Sequence, residues 1–266
     1  MLDQAIAAID CFHPQLLSDS PFWRGHLPFA GVLVALMKPR VIVELGVQHG
    51  DSLFTFAEAM QRHGPEGGQV IGIDAWQGDA HVGDQPDWIY NRVLRHASDF
   101  PNVRLIRARF DVAADRISDG SIDLLHVDGG HTVDDVKADL EVYLPKLAPN
   151  GIVLMHDVTA YRPDFGVWKV WQGLAGAHPS FVFAHSAGLG LLAPKGVASR
   201  LANILGADRN NRLIFKKLFA TLGHHALIAN STPDQIARAK QIGRLALPDG
   251  LIRTPDLMDA LIKARW

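Results

Sequence analysis

Short continuous apolar runs alternate along this chain with stretches whose apolar residues recur every three or four positions. The runs at 40–45 (RVIVEL), 68–74 (GQVIGID), 102–108 (NVRLIRA), 121–128 (SIDLLHVD) and 151–157 (GIVLMHD) are mostly apolar, with many β-branched residues. Such continuity predicts parallel strands covered on both faces. Between them the period becomes helical. Leu53, Phe56, Ala57 and Met60 share one face of a helix that Asp51 or Ser52 can cap, and further helices are predicted at 88–97, 111–117, 132–147 and 165–177. Two last strands follow in SFVFAHSAGLGLLAPKG, joined by a turn at 186–188.

This alternation gives the fold class: α/β, a doubly wound, Rossmann-like and mostly parallel sheet with helices on both faces. The pattern divides the chain into a helical N-terminal preface (1–38), a sheet domain (39–197) and a helical C-terminal extension (198–266). The extension reads as helices interrupted at Asn210-Asn211, Pro233 and Pro248, which pack on the domain or mediate self-association into a homo-oligomer.

Composition narrows the classes. With 266 residues, 48% of them hydrophobic, the chain can bury a large core without covalent staples. A net charge of −2 provides no global field for nucleic acid. The single cysteine, Cys11, excludes an intramolecular disulfide and fits a reducing compartment. The N-terminus lacks the basic region of a secretory signal, and the longest apolar run, 28–37, is far short of the ~20 residues that span a bilayer. The expectation is a cytoplasmic protein with no membrane span and a small-molecule partner.

Ligands of doubly wound sheets sit at the carboxyl ends of the strands. The residues there are Glu44 and Gly46, then Asp74, then Phe110 and Asp111, then Asp128 and His131, and finally His156 and Asp157. In VELGVQHGDS, Gly46 permits a sharp turn and Gly50 a close approach to a helix N-terminus. Counted from Gly46, the later glycine positions of a dinucleotide fingerprint hold Gln48 and Asp51, which argues against a pyrophosphate on this turn. Glu44 suits a ligand with an ammonium group, and Asp74 can accept the two hydroxyls of a ribose.

The segments VELGVQHGDSLF, GIDAWQGDAHVGD, DGSIDLLHVDGGHTVDDVKADLEVYLPKLAPNGIVLMHDV, DFGVWKVWQGL and GLGLL together resemble the class I S-adenosylmethionine-dependent methyltransferases. They are similar in particular to the branch associated with glycosyltransferases and sugar O-methylation, the macrocin O-methyltransferase-like and cephalosporin hydroxylase-like proteins. The resemblance runs from about Val41 to Leu192. It implies an antiparallel final hairpin and S-adenosylmethionine as cofactor. It also implies that Glu44, Gly46 and Gly50 border the methionine part, that Asp74 holds the ribose, that Trp76 lines the cofactor or acceptor side, and that Phe110 and Asp111 lie near the adenine.

Methyl transfer to a hydroxyl needs a base, a metal, or both. In LLHVDGGHTVDD, the glycines keep a pocket open between Asp128 and His131, and His131 is the base candidate. Asp128, His156 and Asp157 form a candidate divalent-metal set. The resemblance implies an aspartate after the fourth strand, a histidine base three residues on, and an acidic pair after the fifth strand. His156 departs from that pair, and imidazole suits Mn²⁺ better than Mg²⁺. A metal-free site with His131 as base stays open. The acceptor is expected to be a small molecule or a glycan, with Arg162, Asp164 and Trp168 as candidate contacts. The competing classes are an NAD(P)-dependent oxidoreductase and a metal hydrolase built from Asp128, His131, His156 and Asp157.

Overall fold

The computed structural model describes residues 14, 16–18, 20–79 and 83–236. Cys11, His81, Pro248 and the outer parts of both terminal extensions lie outside these residues. Seven strands form one sheet: β1 (Val41–Leu45), β2 (Gln69–Asp74), β3 (Val103–Arg107), β4 (Ile122–Val127), β5 (Leu147–His156), β6 (Ser180–Phe183) and β7 (Leu189–Leu192). Their order is β3-β2-β1-β4-β5-β7-β6. The first five are parallel, and β7 runs antiparallel to both β5 and β6. The expected strands and the final hairpin are therefore present. Between β2 and the next helix, Gly78–Asp79 and Gly83–Asp84 pair as a two-residue ribbon, where only loop was expected.

Among the described residues, six helices of ten residues or more flank the sheet: α1 (Leu27–Met37), α2 (Asp51–His63), α3 (Asp87–Ala97), α4 (Val133–Tyr143), α5 (Val167–Ala177) and α6 (Arg209–Ala229). Alternate strand residues feed two cores. Ile42, Leu124, Ile152 and Leu154 pack with α1, α2 and α6 through Leu33, Phe54, Phe56, Phe215 and Phe219. Val43, Leu125, Val153 and Met155 pack with α4 and α5 through Val136, Leu140, Val167 and Trp171. This two-sided burial is why the strands read as unbroken apolar runs.

Helix α1, LPFAGVLVALM, is apolar all round, and nine of its eleven residues are buried. A helix of that kind needs cover on every side. It packs against both α2 and α6, so segments from the two ends of the chain share one core with the sheet. Helix α6 runs unbroken through Asn210-Asn211, correcting the expected interruption. Asp208 caps it, accepting the backbone N–H groups of Asn210 (2.8 Å) and Asn211 (3.0 Å), so the asparagines form its first turn.

Candidate functional site

Even-numbered strand positions near the carboxyl ends carry the polar residues of one face. Glu44 lies in register opposite His126 on the neighbouring strand. His126 Nδ1 is 3.1 Å from Glu44 Oε2, and Ser52 Oγ donates to Glu44 Oε1 at 2.9 Å. Both residues are fully buried, beneath the rings of Trp23 and Phe56. Burial pushes the Glu44 carboxyl up, against the pull of its bonds to His126 and Ser52. Glu44 thus lies under the floor of the site, holding the start of α2 to the sheet.

Above this floor is a cleft of about 760 Å³. Gly46, Gly50, Asp74, Phe110, Asp111, Asp128, His131, His156 and Asp157 all line it. Such a volume suits a small-molecule ligand. The β1–α2 turn forms one wall. Gly46 has φ +91°, and a Cβ there would stand 2.1 Å from the carbonyl oxygen of Asp128. Only glycine lets β1 and β4 leave the sheet this close together. Asp74 locks the turn: its Oδ2 accepts from Val47 N (3.0 Å) and Gln48 N (2.9 Å), and its Oδ1 from Trp76 N (2.6 Å). A carboxylate has about four lone-pair sites, so capacity remains for a ligand hydroxyl. Trp76 is 1% exposed, packs at a tilt against Tyr90 and donates to the carbonyl of Gln48 (2.9 Å). Its ring braces the turn from behind and does not reach the cleft wall.

The opposite wall comes from the segments after β3 and β4. The Phe110 ring lies against Gly129, where a Cβ would meet it at 2.5 Å. Tyr143 Oη donates to the Phe110 carbonyl at 2.8 Å. Asp111 pairs with Arg109 at 3.1 Å. Asp135 and Asp139 of α4 also line the cleft; sequence reasoning missed them because a helix of the sheet's flank was not expected to face it. Burial, with Asp135 and Asp111 nearby, pushes the Asp139 carboxyl up to about 7.

The floor between β4 and β5 holds the densest charge. His156 Nδ1 lies 3.1 Å from Asp128 Oδ1 and 3.5 Å from Asp157 Oδ2, while its Nε2 faces the carbonyl oxygen of Ser186 at 3.1 Å. His131 Nε2 is 3.1 Å from Asp157 Oδ2, and its ring stacks on Phe165 at 4.4 Å. Thr132 and Asp135 form the capping box of α4, so His131 is not the helix cap. Burial opposes protonation of His156, but Asp128 and Asp157 outweigh it and push the imidazole up to about 10. Burial also opposes ionisation of Asp128, yet His156 holds it below the usual carboxylate value. Asp157 sits at φ +60° while buried, a backbone state tolerated best by Asn, Asp and Gly.

A divalent ion can be tested against this donor set. Asp128, His131 and Asp157 each offer an atom, and these lie within 4.8 Å of one another. His156 borders that set, and its Nε2 is anchored on a carbonyl, an outer-shell arrangement common for metal-bound histidine. Ligands ~2.1 Å from one ion stand roughly 3 Å apart, the spacing of His131 Nε2 and Asp157 Oδ2 (3.1 Å). Asp128, His131 and Asp157 could hold an ion that accepts imidazole, a set that differs from the expected one by His131 in place of His156.

Ser20, Phe22 and Trp23 of the N-terminal segment also line the cleft. Nothing in the sequence assigned these residues a place in the wall, beyond a helical preface lying near the mouth. Ser18 donates both its N–H (2.6 Å) and its hydroxyl to Asp51, the first residue of α2. Of the acceptor candidates, Arg162 lines the cleft and pairs with Asp164 at 3.2 Å, and Trp168 packs edge-to-face on the exposed Tyr161 at 5.6 Å. No described helix is long and apolar enough to cross a membrane.

Residues 43–158 match a family model described as a methyltransferase domain. An uncharacterized protein of Sinorhizobium fredii, y4gI, is 34% identical over 99% of this chain, and the chain spans 29% of that protein's length. Two solved structures share the fold. One, from Staphylococcus aureus, is assigned as a caffeoyl-CoA O-methyltransferase; it aligns with TM-score 0.50 and 16% identity over 64% of this chain and 82% of its own. The other is cofactor-bound Rv0187 from MTB, with TM-score 0.50 and 15% identity over 73% of this chain and 89% of its own. The seven-stranded fold is the one these solved structures share, and residues 43–158, which carry most of the cleft wall, match the methyltransferase-domain model.

Proposed function

We propose that this chain transfers the methyl group of S-adenosylmethionine to a hydroxyl oxygen of a sugar, free or within a glycan. The observation that carries this reading is the Asp157–His131 pair, 3.1 Å apart, in the same cleft as the glycine turn and Asp74. When bound, S-adenosylmethionine supplies a sulfonium methyl: the C–S bond breaks as the C–O bond forms, and the sulfur keeps the electron pair. The hydroxyl proton must leave in that step. His131 accepts it, and Asp157 stabilises the resulting imidazolium. Phe165, stacked on the ring, holds His131 in place. Gly46, Gly50 and Asp74 bind the methionine and ribose parts, while Phe110 and Asp111 border the adenine.

A sugar acceptor is supported by Arg162, which lines the cleft, and by its chain neighbour Tyr161, whose ring meets Trp168 edge-to-face. Tyr161 is 68% exposed, an apolar face with a polar tip that suits the mixed surface of a sugar ring. A second reading concerns His131. Its place among Asp128 and Asp157 favours a ligand role toward an ion such as Mn²⁺, which would lower the acidity barrier of the hydroxyl as a Lewis acid. The oxidoreductase and hydrolase alternatives are not favoured, since the matched model is a methyltransferase domain.

Calorimetry with S-adenosylhomocysteine tests the cofactor, with NADH as the control. Binding of the first alone is expected; binding of NADH alone overturns the reading. Transfer of labelled methyl to a panel of sugar nucleotides and glycans tests the acceptor. His131→Ala should lower turnover at least ~100-fold with little change in S-adenosylhomocysteine affinity. Near-normal turnover removes His131 as the base. A thermal shift of the wild type with Mn²⁺ that is lost in His131→Ala makes it a ligand instead.

A further inference from the structure

Beyond β5, outside the matched segment, the β6–β7 turn takes an unusual backbone path. Ser186, Ala187 and Gly188 have φ of +48°, +65° and +91°, three left-handed residues in succession. Two of them carry side chains, and both are buried. An outlier of this kind persists only where neighbours enforce it. Here Thr159 enforces it. Thr159 N donates to the Ala187 carbonyl at 2.9 Å, and Thr159 Oγ1 to the Ala184 carbonyl at 3.1 Å. The path turns the Ser186 carbonyl inward, beneath the cleft, where it meets His156 Nε2 at 3.1 Å.

The same carbonyl meets a second histidine. His26, fully buried at the start of α1, places its Nε2 3.1 Å from Ser186 O. A carbonyl has two lone pairs, and two donors use both. The contact is reciprocal: His185 Nε2 lies 3.0 Å from the Gly25 carbonyl. Gly25 also allows the approach, since a Cβ there would stand 1.9 Å from Ser186 Oγ. Residues 25–26 and 185–186 therefore form a two-way clasp, and the His26 ring packs edge-on to His156 at 5.4 Å.

We infer that His26 is a positioning residue of the proposed site, fixing the ring of His156 against Asp128 and Asp157 through the shared Ser186 carbonyl. The role rests on the methyl-transfer reading for its purpose, though not for its geometry. With both lone pairs engaged, the carbonyl cannot swing away, so His156 keeps Nε2–H on the carbonyl side and Nδ1 toward the carboxylates. This holds whether Nδ1 carries a proton or faces an ion. The N-terminal preface is thereby part of the site rather than a cover over it.

The test uses the full chain labelled with ¹⁵N-histidine, with His156 assigned by comparison with His156→Gln. Long-range ¹H–¹⁵N correlation should show His156 protonated at Nε2, with that proton exchanging slowly. In His26→Phe, exchange of this proton should rise at least about tenfold. In His26→Gln, whose amide nitrogen can reach the same carbonyl, the wild-type signal should return. Unchanged His156 signals in His26→Phe overturn the inference. So does a wild-type His156 without a proton on Nε2, a measurement that stands even if His26→Phe fails to fold. Titration with S-adenosylhomocysteine runs alongside. Absence of binding counts against the methyl-transfer reading, and the ring signals judge the clasp separately.

Discussion

At the scale of single residues, the acids of the cleft divide by what surrounds them. Asp74 accepts three backbone N–H groups, so its carboxylate serves the turn before it serves any ligand. Asp74→Ala should destabilise the fold by about 2–3 kcal/mol, since three donors lose a charged acceptor. It should also weaken S-adenosylhomocysteine binding at least ~tenfold, read by calorimetry. Unchanged affinity would remove Asp74 from the ribose role. Asp139 behaves in the opposite way. Its folded value is raised to about 7, so its favourable contribution is full below the ordinary 3.8 and is lost as pH rises toward 7. Asp139→Asn should therefore gain stability over the wild type between pH 5 and pH 8, by on the order of 1–3 kcal/mol. Denaturant titrations at the two pH values check this; a gain independent of pH would mean that Asp139 stays ionised.

At the scale of elements, the sequence is most informative where one residue type alone satisfies the backbone. Gly46 was legible as a turn glycine from VELGVQHG, and the structure supplies the reason: the Asp128 carbonyl fills the space of its missing side chain. Gly46→Ala should cost about 2–4 kcal/mol, because a positive φ and a clash with rigid backbone add. Thermal unfolding measures this, and a near-wild-type midpoint would show that β1 and β4 can separate freely. Strand and helix positions were equally legible, since two-sided burial leaves unbroken apolar runs and one-sided burial leaves a helical stripe. Asn210-Asn211 misled because asparagine is as common at helix starts as in breaks. Asp208, which accepts both of their N–H groups, decides between them. Glu44 and Trp76 show another limit of the sequence. Sequence places them at strand ends, and only side-chain direction sends one beneath the floor and the other behind the turn.

At the scale of the molecule, the two ends of the chain meet at Arg24. This buried side chain donates to the carbonyls of Ser18 and Asn230, to Ser231 Oγ at 2.6 Å and to Gln235 Oε1 at 3.1 Å. Ser18 in turn holds Asp51 at the start of α2, so the segment after α6 connects to the cleft wall through two side chains. Arg24→Met should lower stability by about 2–4 kcal/mol, because several buried acceptors lose their donor. Denaturation gives the value, and proteolysis should cut first near residues 230–235. A variant as stable as the wild type would make this junction incidental.

The sequence by itself determined the sheet, most of its helices, the sheet edge at which the cleft lies, and the residue types gathered there. Those follow from periodicity, glycine freedom and the rule that parallel strands present their carboxyl ends to ligands. What the tertiary structure alone decided is which atoms of those residues meet. Arg24 reaches Asn230, His26 shares a carbonyl with His156, and His131 stands with Asp157, across 206, 130 and 26 positions of the chain. No local pattern encodes such meetings: the first two arise where the segment before α1 packs on the residues after α6 and on the β6–β7 turn, and the third where the segments after neighbouring strands β4 and β5 converge.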